Sequence, residues 1–249
     1  MIRSALFRNS REVVCWSRKA FFSTSTHTDE FANIDDIERI VANNKDDNDD
    51  GDDTLHFSLS GTGPAFFSWM VGFSHGLRES GLLSSASSKS TNHLIGISGG
   101  SMCATLLAAD FDMSSTSDVM VCGQEQSDRC RDGKQKLGML VNNMMEDLID
   151  DAAAQKIINN NQRKAHIAMV GAPEGSLIQA YKQQIKLCSN FTDKEDIRNA
   201  VLASTHLPYL SNGNATRMFR GKEVVDAGIT GKSAFALLCF VYLCGQYEV

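Results

Sequence analysis

Proline is almost missing from this chain, with three in 249 residues, so no stretch reads as a stiff proline-rich linker. Cysteine supplies no framework either. Cys15, Cys103, Cys122, Cys130, Cys188, Cys239 and Cys244 are odd in number, scattered, and contain no Cys-x-x-Cys pair. That pattern argues against a clustered zinc site and a disulfide scaffold, and it fits a reducing compartment. The histidines show no ligand spacing, so no metal and no cofactor is expected. Basic charge is also short. A formal net charge of -6 gives no basic field for phosphates, and no nucleic-acid partner is expected. The apolar stretch from Ala234 to Cys244 has eleven residues, too few to span a bilayer. It reads as a last buried helix or strand, as a membrane-facing patch, or as sequence foreign to an altered or truncated C-terminus.

What is present is ordinary in amount and uneven in placement. A hydrophobic share of 42% with 22% charge suits a soluble chain with one sizeable core. Residues 1–27 carry Arg3, Arg8, Arg11, Arg18 and Lys19 against the single acid Glu12, with many serines and threonines. This composition is that of a transit peptide, and mitochondrial import is the expectation, with plastid import or a cytosolic or lipid-associated protein as alternatives. Residues 28–53 carry eleven acids and close on Asp46-Asp47-Asn48-Asp49-Asp50-Gly51-Asp52-Asp53. Like charges this dense repel and bury nothing, so the segment reads as an acidic, disordered linker with a short helix around Ile34 to Val41. The folded domain is expected over residues 54–249.

Inside that domain a strand–turn–helix unit occurs twice. Leu55 to Leu59 alternates like a strand and breaks at Ser60-Gly61-Thr62-Gly63-Pro64. Phe66, Trp69, Met70, Phe73 and Leu77 then recur at helical spacing, with Pro64 suited to the first helical position and Gly81 to the stop. The second unit is a strand from His93 to Ile97, a turn at Ser98-Gly99-Gly100, and a helix from Ser101 to Asp110. Further on, Gln135 to Asn160 is helical in pattern, Ala165 to Val170 reads as a strand, and Thr192-Asp193-Lys194-Glu195 is a capping box for a helix running to Ser204. A last strand, Glu223 to Val225, leads into Asp226-Ala227-Gly228. Strands alternating with helices predict an α/β fold, a three-layer α/β/α arrangement around a mostly parallel central sheet.

Three elements carry chemistry. Gly96-Ile97-Ser98-Gly99-Gly100 is a Gly-x-Ser-x-Gly sequence between a strand and a helix, the context that makes such a serine a nucleophile. Gly96 and Gly100 remove side chains that would collide in the tight turn, and the following helix points its N-terminus at Ser98, favouring an alkoxide or a tetrahedral intermediate. Gly61, Thr62 and Gly63 end the first strand with backbone N–H groups before a helix, a ready anion cradle and a candidate oxyanion hole. Asp226, after the last strand, is a candidate general base for the serine hydroxyl.

Together these elements resemble the patatin-like phospholipases, in particular the branch of adipose-type triacylglycerol lipases. The resemblance runs over roughly residues 55–230. It is carried by FSLSGTGPAFFSWMVGFSHGL (57–77), by the serine motif, by NFTDKEDIRNAVLASTHLPY (190–209) and by the closing VVDAGIT. It implies a Ser-Asp dyad that hydrolyses acyl esters of glycerolipids through an acyl-enzyme without histidine. Ser98 is then the nucleophile, Asp226 the base, and the backbone around Gly61, Thr62 and Gly63 the oxyanion hole. The implied partners are a lipid substrate and a peripheral membrane or lipid-droplet surface. Phe66, Phe67, Trp69 and Met70 read as core or as an apolar groove beside the site, and His206 as a neighbour of the site.

The sequence departs from the family at Pro64, which has no N–H to donate, and at Ala227, tolerable only where positive φ is not required. The altered glycine loop and the unusual C-terminal stretch from Ala234 to Cys244 support an alternative reading, a catalytically inactive patatin-like protein that binds lipid or a partner. An acyl transferase using the same acyl-enzyme is a third.

Overall fold

The computed structural model describes residues 32–33, 56–59, 61, 67–79, 83, 91–111, 136–180 and 182–230. The predicted transit peptide, Thr62, Gly63, Pro64 and the apolar stretch 234–244 lie outside them. Strand β1 (Ala32–Asn33) falls within the acidic segment 28–53, the rest of which is also outside the described residues. The remaining strands are β2 (His56–Leu59), β3 (Asn92–Ile97), β4 (Arg163–Gly171), β5 (Ile185–Cys188), β6 (Arg217–Phe219) and β7 (Lys222–Asp226). The helices are α1 (Phe67–Glu79), α2 (Gly99–Ala108), α3 (Leu137–Leu148), α4 (Asp151–Asn159), α5 (Leu177–Ala180) and α6 (Lys194–Ser204).

The strands form one sheet ordered β1-β5-β4-β3-β2, with β7 on β4 and β6 on β7. The α/β class is as expected, but the sheet is mixed rather than mostly parallel. Among the described residues β2–β3 and β3–β4 pair in parallel, and the ladders to β1, β5, β6 and β7 are antiparallel. The reason lies in the connections. Helices carry the chain from β2 to β3 and from β3 to β4, as parallel neighbours require, whereas β6 and β7 are joined by the two residues Arg220 and Gly221, a hairpin.

Alternation on β3 and β4 divides the apolar side chains between two faces. Leu94, Ala165, Ile167 and Met169 join the larger core with Leu106, Leu107, Met144, Met145, Ile197 and Val201 from the helices. Ala168, Val170, Leu187 and Val225 join the smaller one with Ala180 and Ala227. Strand β4 is buried without interruption from Ala165 to Val170, as a strand covered on both faces should be.

Two local expectations change. The helical pattern 135–160 breaks at Ile149, which is buried and extended (φ -114, ψ 93). Asp150 then caps a new helix by accepting from the Ala153 N–H. The cap of α6 is Asp193 rather than Thr192. Asp193 accepts from the Asp196 N–H at 2.8 Å, and Asp196 accepts from the Thr192 N–H at 3.1 Å. The Arg220 guanidinium also holds the Asp196 carboxylate from across the fold.

Two substitutions read this architecture. Leu94→Ala, at the centre of the larger core, is expected to lower the unfolding free energy by about 2–5 kcal/mol. Asp150→Ala should cost only about 1 kcal/mol, the worth of a cap. Urea denaturation measures both, and equal losses would contradict the placement of Leu94.

Candidate active site

The turn after β3 is as strained as the Gly-x-Ser-x-Gly pattern requires. Ser98 sits at φ 54, ψ -127, a region that a residue with a Cβ rarely occupies, and α2 begins at the next residue. The glycine two residues earlier is needed for space. A Cβ on Gly96 would lie 2.4 Å from the Gly100 carbonyl oxygen and 2.5 Å from the Ser101 Cα. Helix α2 therefore packs directly over the end of β3. The turn is held by the Ser98 carbonyl, which accepts from the Ser101 N–H at 2.9 Å and from the Ser101 hydroxyl at 2.6 Å. The Ser98 side chain does not cap the helix, so its hydroxyl is available elsewhere.

It goes to Asp226. Strand β4 pairs with both β5 and β7 at Met169 and Val170, so those two strands occupy opposite edges of β4. That puts β7 on the edge where β3 ends. Ala168 is the partner of Ile97 and Met169 the partner of Asp226, so consecutive positions of β4 bring the residue after β3 beside the last residue of β7. The Ser98 hydroxyl lies beside the Asp226 carboxyl and favours its ionised form. The Gly228 N–H donates to the same group at 2.7 Å. Asp226 is 1% exposed. Burial pushes its pKa up to about 6, against the lowering effect of the Ser98 hydroxyl and the Gly228 bond. Ala227 takes no positive φ, so the Asp-Ala-Gly departure is accommodated.

Gly61 closes the other side. A Cβ there would sit 3.0 Å from the Ser98 Cβ and 3.7 Å from its Oγ. The Gly61 backbone thus lies against the candidate nucleophile, at a distance that leaves no room for a side chain. Of the three predicted oxyanion residues Gly61 alone is described; Thr62 and Gly63 are not. A family model for the patatin-like phospholipases matches residues 57–237. The chain belongs to the patatin-like phospholipase family. No curated protein and no solved structure matches it.

Members of this family are typically lipases or esterases, which sets the reading of the remaining groups around this patatin-like site. His206 touches it through its main chain. The Asp226 N–H donates to the His206 carbonyl at 3.0 Å, while the buried ring turns to the backbone of Asn214 and Ala215. Burial lowers the pKa of that ring, ahead of the opposing effect of the Asn214 backbone. Cys103, on α2, has its thiol pushed up to about 12 by burial, against the lowering effect of Ser74, so it supplies no competing thiolate. Ser204 was not foreseen as a site residue. Its hydroxyl accepts from the Ser98 N–H at 3.0 Å and donates to the Ala168 carbonyl at 2.6 Å. Nothing local in the sequence marks it except its place in the run 190–209 that resembles the family.

The raised pKa of Asp226 sets a stability signature. Its contribution is fully favourable below 3.8 and is lost as pH rises through about 6, so the ionised form costs about 3 kcal/mol at pH 8. Asp226→Asn is expected to gain stability relative to the wild type between pH 4.5 and 8. Thermal melts across that range measure the gap, and a constant gap would mean that the carboxyl titrates normally.

Proposed function

We propose that this patatin-like protein hydrolyses a fatty-acyl ester of a glycerolipid, with Ser98 as nucleophile and Asp226 as general base. The observation that carries the reading is the strained Ser98 set beside a buried Asp226 with a pKa of about 6. A carboxylate of that basicity accepts a hydroxyl proton more readily than an ordinary one and is still ionised at neutral pH.

The reaction follows from these groups. As the Ser98 oxygen attacks the ester carbonyl carbon, its proton passes to Asp226. The oxygen of the tetrahedral intermediate is stabilised by backbone N–H groups of the Gly61-Thr62-Gly63 turn and by the positive N-terminal end of α2. Collapse of the intermediate expels the alcohol, which takes the proton from Asp226 and leaves Ser98 acylated. Water then attacks the acyl-enzyme, Asp226 takes its proton, and the fatty acid departs as Ser98 regains a proton. The ester belongs to a phospholipid or a triacylglycerol. Resemblance to the adipose-type branch over residues 57–77 and 190–209 favours the second, presented at a membrane or lipid-droplet surface.

The energetics favour catalysis over a purely binding role. A non-glycine residue at positive φ and a carboxyl kept from water both oppose folding. A binding protein gains nothing from placing them side by side.

Labelling of the full chain by a fluorophosphonate tests the proposal. Ser98→Ala should abolish labelling, and Asp226→Asn should slow it by about a hundredfold or more. Fatty-acid release from phosphatidylcholine vesicles and triolein emulsions then identifies the ester, and added alcohol acceptors reveal any transfer. The rate should fall as pH drops through about 6, because Asp226 becomes protonated. A folded wild-type protein that takes no label would sink the proposal in favour of lipid or partner binding.

A further inference from the structure

We propose that Ser204 is a positioning residue for the nucleophile: its side chain holds the strained Ser98 backbone and fixes where the Ser98 oxygen points. This rests on the reading of Ser98 as the nucleophile.

The hydrogen-bond polarity at Ser204 has one solution. The Ala168 carbonyl can only accept, so the single Ser204 proton goes there at 2.6 Å. The Ser98 N–H can only donate, so it meets a lone pair of the Ser204 oxygen at 3.0 Å. Ser204 is fully buried, and no water competes for either bond. The oxygen therefore links the strained elbow to β4 at Ala168, the position paired with Ile97 and adjacent to the partner of Asp226.

The same end of α6 reaches the other member of the pair. Two residues after Ser204, the His206 carbonyl accepts the Asp226 N–H at 3.0 Å. One short segment thus grips Ser98 through a side chain and Asp226 through the main chain, and it sets their separation. A second consequence concerns the oxyanion. With its N–H engaged by Ser204, Ser98 does not donate to the developing charge, which leaves that task to the glycine turn and the start of α2.

Removing the hydroxyl leaves the Ser98 N–H and the Ala168 carbonyl buried without this partner, and the elbow relaxes away from Asp226. Ser204→Ala in the full chain is expected to take fluorophosphonate about a hundredfold more slowly per folded molecule, with the probe's reversible affinity unchanged. Its acid limb should move to higher pH, since the Ser98 hydroxyl that favours the ionised Asp226 moves away from it. Ser204→Thr, which keeps the hydroxyl, should recover most of the rate. Asp193→Ala provides the structural control: the Asp193 carboxylate accepts from the Asp196 N–H at 2.8 Å at the opposite end of α6, so its loss lowers the melting temperature and leaves labelling intact.

A folded Ser204→Ala protein labelled at the wild-type rate overturns the inference while leaving the hydrolase reading in place. A folded wild type that takes no label overturns both. Hydrogen exchange of the Ser98 amide in 15N-serine wild type, assigned by its absence in Ser98→Ala, tests the geometry without any variant at position 204. Slow exchange is expected, and exchange as fast as that of an open amide overturns the inference.

Discussion

One edge of β4 is shared by two strands, and the site depends on that sharing. Strand β3 arrives in parallel and ends opposite Ala168; β7 arrives antiparallel and has Asp226 opposite Met169. The chain separates Ser98 from Asp226 by more than a hundred residues, yet the ladder makes them end-to-end neighbours. Because ladder positions are fixed by backbone hydrogen bonds, the spacing of the two groups is as rigid as the sheet itself. The carboxyl could not have been supplied from a loop with the same precision.

Around this shared edge the fold combines favourable burial with local cost. The larger core, from Leu94 and Ile167 to Met144 and Ile197, is continuous behind the strained turn, and α2 is buried along its whole length. Such packing holds Ser98 at φ 54 and keeps Asp226 away from water. Strain and a desolvated carboxyl persist where the surroundings over-determine them, and their concentration at one point is itself a functional signal. The position of Ser204 fits the same logic, since a buried hydroxyl with both its bonds made stiffens the turn from behind.

Much of this was legible in the sequence because it is local. The strand–turn–helix around Ser98 is written in adjacent residues, and Gly96 is required by an approach that involves only the next few positions. Other features were not legible. Ile185–Cys188 and Arg217–Phe219 are strands too short to show a period. The break between α3 and α4 hides inside the apolar pattern, because Ile149, the residue at the kink, is itself buried. The cap of α6 is Asp193 rather than Thr192, and the Asp196 carboxylate beside it is held by Arg220, far along the chain.

The sequence alone determined the α/β alternation, the strained serine turn, the glycines that turn demands and the membership of the patatin-like family, all of which rest on residue type at short range. Tertiary structure alone decided that β7 would join β4 on the edge vacated by β3. It also decided that Asp226 would be buried enough to hold its pKa near 6, and that Ser204 would reach the Ser98 N–H. These outcomes belong to register and burial, which sum contacts between distant segments and leave no trace in any local pattern.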